Sequence, residues 1–211
     1  MPGALRVASG AVVGRRSDAI GGGVVSSWRV CLPATRYFEA ALVSAADLRE
    51  GGVGMALTTH TRRQLSYAQG YLELGMKKDA AEALKEIDKV QRKEMAVLIL
   101  TMAVHVELAD WKRAEAAGKV LCEREPEVAG HWIQWAYATR RHVGIAEARE
   151  ILLKALGLHP REAVIHFNLA CYEAQLGHLD DARVFLDTAC GIDETFVALG
   201  QTDEDLAPLR G

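Results

Sequence analysis

His105, His131, His142, His159, His166 and His178, with Cys31, Cys122, Cys171 and Cys190, are the side chains that could hold a metal or act as nucleophiles. Their spacing argues against both. A catalytic zinc site needs two histidines one helical turn apart, as in HExxH, and a structural site needs cysteines paired as CxxC. None of these histidines forms HxxxH or HExxH, and no CxxC occurs. The scattered cysteines read as small apolar residues with reduced thiols, which suits the cytoplasm better than a disulfide-forming compartment. Asp180 and Asp181 could make a general acid–base pair, but they stand where a helix is expected to begin, and acids favour that position anyway. The GGG at 21–23 and the GVG at 52–54 lack the GxxxxGK[ST] or GxGxxG setting that cradles phosphate. The chain is therefore read as not an enzyme, with no catalytic residue, no cofactor and no metal.

Composition narrows the partners. The chain has 211 residues, half of them hydrophobic, and a formal charge of −3. That balance gives no electrostatic footprint for nucleic acid or an anionic membrane. No apolar run approaches the roughly 18 residues of a membrane span.

The chain changes character near residue 55. Residues 1–54 hold nine of the 19 glycines and six arginines but no lysine, with a charge of +2, leaving −5 for the rest. No sustained period runs through this stretch, apart from a short helix expected over 36–50 with Phe38, Leu42 and Leu48 on one face. Residues 1–54 are expected to form a leader without regular structure, or to reflect a start assigned upstream of Met55. An organelle transit peptide is the alternative reading, and a secretory signal lacks its apolar core.

Downstream a motif recurs. LGMKKDA (74–80), LADWKRA (108–114), HVGIAEA (142–148) and LGHLDDA (176–182) end on Ala80, Ala114, Ala148 and Ala182, each 34 residues after the last. The units run 61–94, 95–128, 129–162 and 163–196. Each divides into two helical stretches of about a dozen residues. Gly75, Ala109 and Gly177 sit between the stretches, where a tight turn favours positive φ. Pro126 and Pro160 close the second and third units, and the aligned places are Arg92 and Glu194.

These features resemble the tetratricopeptide repeat (TPR) family. Its bulky early places fall on Gln64, Leu98, Trp132 and His166, then on Tyr67, Thr101, Trp135 and Leu169. The small place is Ala68, Met102, Ala136 and Ala170, and the family aromatic is Tyr71, His105, Thr139 and Glu173. After the alanines come Leu84, Gly118, Leu152 and Leu186, then Ile87, Leu121, Ala155 and Ala189. Met102 and Gly118 make the second unit the weakest match.

The resemblance implies an all-α, right-handed superhelical solenoid of about four helix-turn-helix hairpins over 55–196, with one continuous core. Residues 197–211 are expected to form a short C-terminal cap, with Thr202 or Asp203 starting a last turn that holds Leu206 and Leu209. It also implies that the first helices line a concave groove for a peptide or helix of a partner protein. The groove places carried over include Ile99, Leu100, Ala103, Ile133, Tyr137, Arg140, Arg141, Phe167 and Asn168. Tyr137, Arg140 and Arg141 are expected to share one stripe, with Phe167 neighbouring it from the next hairpin. The function implied is a small non-enzymatic adaptor or scaffold. Two alternatives stand beside it: a chaperone of a bacterial secretion system, or a structural protein that self-associates as a weak homodimer through the face before Arg62.

Overall fold

The turns explain the fold best, because they carry the repeat in their hydrogen bonds. In the computed structural model, which describes residues 56–211, the amides of Met76, Asp110, Gly144 and His178 donate to the carbonyls of Tyr71, His105, Thr139 and Glu173 at 2.8, 2.8, 3.1 and 2.9 Å. Both series step by 34 residues. Gly75 (φ +73°), Ala109 (+56°) and Gly177 (+86°) supply the left-handed residue that such a helix ending requires. The readings of residues 1–54 lie outside the described residues.

Four helical hairpins follow from these turns. They pair α1 (Thr59–Glu73) with α2 (Lys77–Lys85), α3 (Met95–Glu107) with α4 (Trp111–Arg124), α5 (Ala129–His142) with α6 (Ile145–Leu158), and α7 (Ala163–Leu176) with α8 (Leu179–Ile192). A short α9 (Thr195–Thr202) and a 3-10 segment (Glu204–Arg210) end the chain. The described residues contain no strand. The architecture is an all-α solenoid of TPR-like hairpins closed by a C-terminal helix.

Ala80, Ala114, Ala148 and Ala182 are all fully buried at 0% exposure. Each amide donates to the carbonyl four residues back (Met76, Asp110, Gly144 and His178), so the alanine sits in the first turn of each second helix. A side chain larger than methyl there would push the paired helices apart.

Unit boundaries are held by side chains that bond main-chain carbonyls. Trp132 donates its indole N–H to Pro126 O at 2.9 Å, and His166, one repeat on, donates Nε2–H to Pro160 O at 2.9 Å. Arg92 stands at the closing-proline place of the first unit and donates to the carbonyls of Ile87 and Lys85, at the end of α2. Gln91 accepts the Thr58 amide at 3.0 Å and ties the start of α1 to the end of the first unit.

The buried apolar residues fall into two large groups joined by a small one. One large apolar cluster belongs to the first two units and a second to the last two units with the C-terminal segment. Between them lies a small joint of Val106, Ala114 and Ala138, packed against half-buried Trp111 and Tyr137. Small residues at the joint leave little apolar volume for a larger cluster. The second unit's two departures belong together here. A Cβ on Gly118 would stand 2.9 Å from Met102 Cε and from Trp135 Cβ, and 3.0 Å from Trp135 Cα. Glycine therefore makes room for the methionine at the small place and for the backbone of α5.

Ala148→Leu should cost roughly 1–3 kcal/mol in chemical denaturation, while Ala146→Leu, on the exposed side of the same helix, should change little. Equal effects would mean that the 34-residue register is wrong. Gly118→Ala should also destabilise, by about 1–3 kcal/mol, although alanine alone would improve a helix by about 1 kcal/mol. A double-mutant cycle with Met102→Ala should show coupling above about 0.5 kcal/mol. Strict additivity would separate the two sites.

Candidate functional site

The residues expected to form one stripe divide into two groups. Tyr137 and Arg141 lie one helical turn apart on α5 and meet Trp111, the first residue of α4. The Tyr137 and Trp111 rings are edge to face at 5.6 Å, and the Arg141 guanidinium stands 5.0 Å over the indole. Arg141 is exposed. His142 pairs with Glu115 next to this cluster, across the same α4–α5 seam.

Arg140 turns to the other side. Its guanidinium lies 4.9 Å over the Tyr172 ring of α7. It also donates to both carboxylate oxygens of Asp205, at 2.9 and 3.3 Å, with each side chain only 12% exposed. The Asp205 main-chain oxygen accepts from Gln175 Nε2 at 2.9 Å. Leu206 is fully buried in the cluster of the last two units. Residues 204–210 thus lie against α7 and reach back to α5, beyond the end of the fourth hairpin.

Phe167 is 1% exposed, with its ring 4.9 Å from that of Phe196 in α9. Asn168 and Ile133 are buried as well. Ile99, Leu100 and Ala103 are buried in the cluster of the first two units. Of the nine carried-over places, Arg141 is exposed and Tyr137 and Arg140 are half-buried. Sequence reasoning misses Trp111, Tyr172 and Asp205. Trp111 follows the N-cap Asp110, whose carboxylate accepts the Arg113 amide, and only the joint between units shows that it faces α5. The acidic run Asp203–Glu204–Asp205 in a chain end is the available signal for Arg140.

The titratable groups are engaged with one another. Glu173, at the family's aromatic place and 0% exposed, accepts from Arg149 Nε at 2.5 Å and pairs with His178 Nδ1 at 2.7 Å. A buried carboxylate needs such partners, and here they replace an aromatic ring. Asp180 and Asp181 occupy the first turn of α8, and Asp180 pairs with Arg183 at 3.1 Å. Burial pushes the Cys122 thiol up to about 12 and raises Cys190 above the ordinary thiol value. Among the described residues two groups bring possible metal ligands together, Cys171–Asp203–Asp205 and Glu173–His178–Asp181. In each, the buried carboxylate is already matched by a guanidinium, Arg140 or Arg149. Among the described residues no helix is long and apolar enough to cross a membrane.

No family model matches the sequence, and no curated protein does. Among solved structures the chain is similar to one described as MamA MSR-1 C2, with 20% identity over 77% of this chain and 90% of that one, and a TM-score of 0.57. It is also similar to a thermophilic TPR protein of Thermus thermophilus, with 20% identity over 70% of this chain and 87% of that one, and a TM-score of 0.49. The four hairpins in 34-residue register give the chain a TPR-like fold.

Two histidines make the fold sensitive to pH. Burial holds both His105 and His131 below the ordinary histidine value, more strongly than Asp110 and Glu125 raise them. The unfolded chain therefore binds more protons in this range, and stability falls as pH drops from about 7 through the usual histidine pKa near 6.5. Thermal melts between pH 7.5 and 5.5 should show this decline, with a shallower slope in His131→Gln and in His105→Gln. Unchanged slopes in both variants would assign the pH response to other groups.

Proposed function

We propose that the chain is a non-enzymatic interaction module, a small adaptor that holds a peptide or helix of a partner protein on the face of its first helices. The observation that carries this reading is the cluster of Trp111, Tyr137 and Arg141 at the seam of the second and third units. Two aromatic rings beside an exposed guanidinium are the usual composition of an energetic hot spot. They suit a segment with an apolar anchor and at least one carboxylate. The pairing of the buried acids and the raised thiols support a role without catalysis. The reduced thiols of Cys122, Cys171 and Cys190 support a reducing, cytoplasmic setting.

Self-association is the second reading, favoured by one observation. Tyr67, Leu74 and Met76 of the first hairpin are large, apolar and exposed. Light scattering after size-exclusion chromatography separates a monomeric adaptor from a homodimer.

The adaptor reading is tested by affinity capture from native lysate, followed by titration of the captured protein. Arg141→Glu should weaken binding by about 1–3 kcal/mol and leave the circular dichroism melt almost unchanged. Trp111→Ala should weaken it too. Phe167, packed against Phe196, would report on stability rather than on binding. Equal affinity for wild type, Arg141→Glu and Trp111→Ala would move the binding surface elsewhere.

A further inference from the structure

The last hairpin of a repeat array needs an apolar cover, and α9 with Phe196 supplies one. Residues 203–210 do more. Asp203 accepts the Asp205 amide at 2.9 Å and sets a tight turn, which presents the Asp205 carboxylate to Arg140 and Leu206 to the core. Arg210 donates to the carbonyls of Gly200 and Asp203 and closes the turn on itself. One carboxylate, two leucines (Leu206 fully buried, Leu209 half-buried against the same core) and one main-chain oxygen therefore carry the docking. That is the amount of information a short linear segment holds.

We infer that residues 203–210 are an exchangeable occupant of the face built by α5 and α7, and that the segment which replaces them is an acidic, leucine-bearing turn of the same Asp-x-Asp-Leu chemistry on a partner protein. The inference rests on the reading of the first-helix face as a partner-binding surface and gives its Arg140 side an occupant and a regulation.

Two features support exchange over permanent closure. The segment lies outside the four hairpins, so its release unfolds none of them. Its polar anchor is a largely buried ion pair, which fixes orientation but adds little net stability compared with an apolar contact. As an intramolecular competitor the segment acts at an effective concentration in the millimolar range and lowers the apparent affinity for a partner by the fraction of time that it is docked.

The test uses full-length protein and a fluorescein-labelled synthetic peptide with the sequence of residues 200–211. Fluorescence anisotropy should show binding at least about ten-fold tighter to the double variant Asp205→Asn with Leu206→Ala than to wild type, since docking of its own segment is weakened. Adding Arg140→Gln to that variant should abolish the gain. A peptide carrying the Asp205→Asn and Leu206→Ala changes should not bind. Equal affinity for wild type and the double variant would overturn the inference. So would absence of binding to a double variant that still melts cooperatively. If the variant does not fold, amide exchange on wild type decides. Residues 203–210 should exchange faster than Ala163–Ala174, and faster still with excess peptide. Exchange as slow as that of α7, with or without peptide, overturns the inference. A failed peptide titration beside Arg141-dependent capture would remove this inference alone and leave the adaptor reading standing.

Discussion

The closest approach within each hairpin governs the rest of the structure. Ala80, Ala114, Ala148 and Ala182 are fully buried, and each donates its amide to the residue whose own amide closes the preceding turn. Turn, second-helix start and helix–helix contact are thus one hydrogen-bonded unit. A hairpin alone buries only part of its apolar surface, so this unit must recur before a core can form. One turn hydrogen bond recurs in all four hairpins even where the backbone conformation and the side chains vary. The third turn uses Gly144 in an extended conformation, yet makes the same bond to Thr139 as its counterparts make to Tyr71, His105 and Glu173.

Variation around the unit is absorbed locally. Met102 is too large for the small place, and Gly118 with Trp135 forms the surface that receives it. Glu173 replaces an aromatic ring, and Arg149 and His178 satisfy its buried carboxylate. His166 replaces a tryptophan and keeps the bond to a proline carbonyl that Trp132 makes one repeat earlier. Each exchange conserves a physical quantity, whether volume, charge balance or a hydrogen bond, while discarding the residue type. This accounts for a fold that stays recognisable while no family model matches the sequence.

The period of 34 residues, the hairpin turns and the alanine contacts were legible in the sequence because they depend on residues within one unit. The site was much less legible. Whether Phe167 is a groove anchor or a core residue depends on Phe196, which sits in a helix outside the repeat register. Whether Arg140 faces a ligand depends on Asp205, which lies 65 residues away. Periodicity places Tyr137, Arg140 and Arg141 on one helix face. It does not show that the arginines lean to opposite neighbours, Arg141 toward Trp111 behind and Arg140 toward Tyr172 ahead. Contacts between units set exposure, and one unit's sequence does not contain them.

A solenoid in which each repeat touches mainly its neighbours couples its ends weakly. Here the buried apolar residues fall into two groups on either side of Val106, Ala114 and Ala138. The aromatic–guanidinium cluster of Trp111, Tyr137 and Arg141 sits on that joint, while the Arg140–Asp205 pair lies on the far side of α5. One helix therefore borders both places. A segment that engaged Arg141 and ran toward the C-terminal end would next meet Arg140, where residues 203–210 already lie. On the proposal that this face holds a partner, a ligand long enough to use both places would have to displace residues 203–210, and a shorter one would not. Ligand length alone would then separate partners that compete with the C-terminal segment from partners that bind beside it.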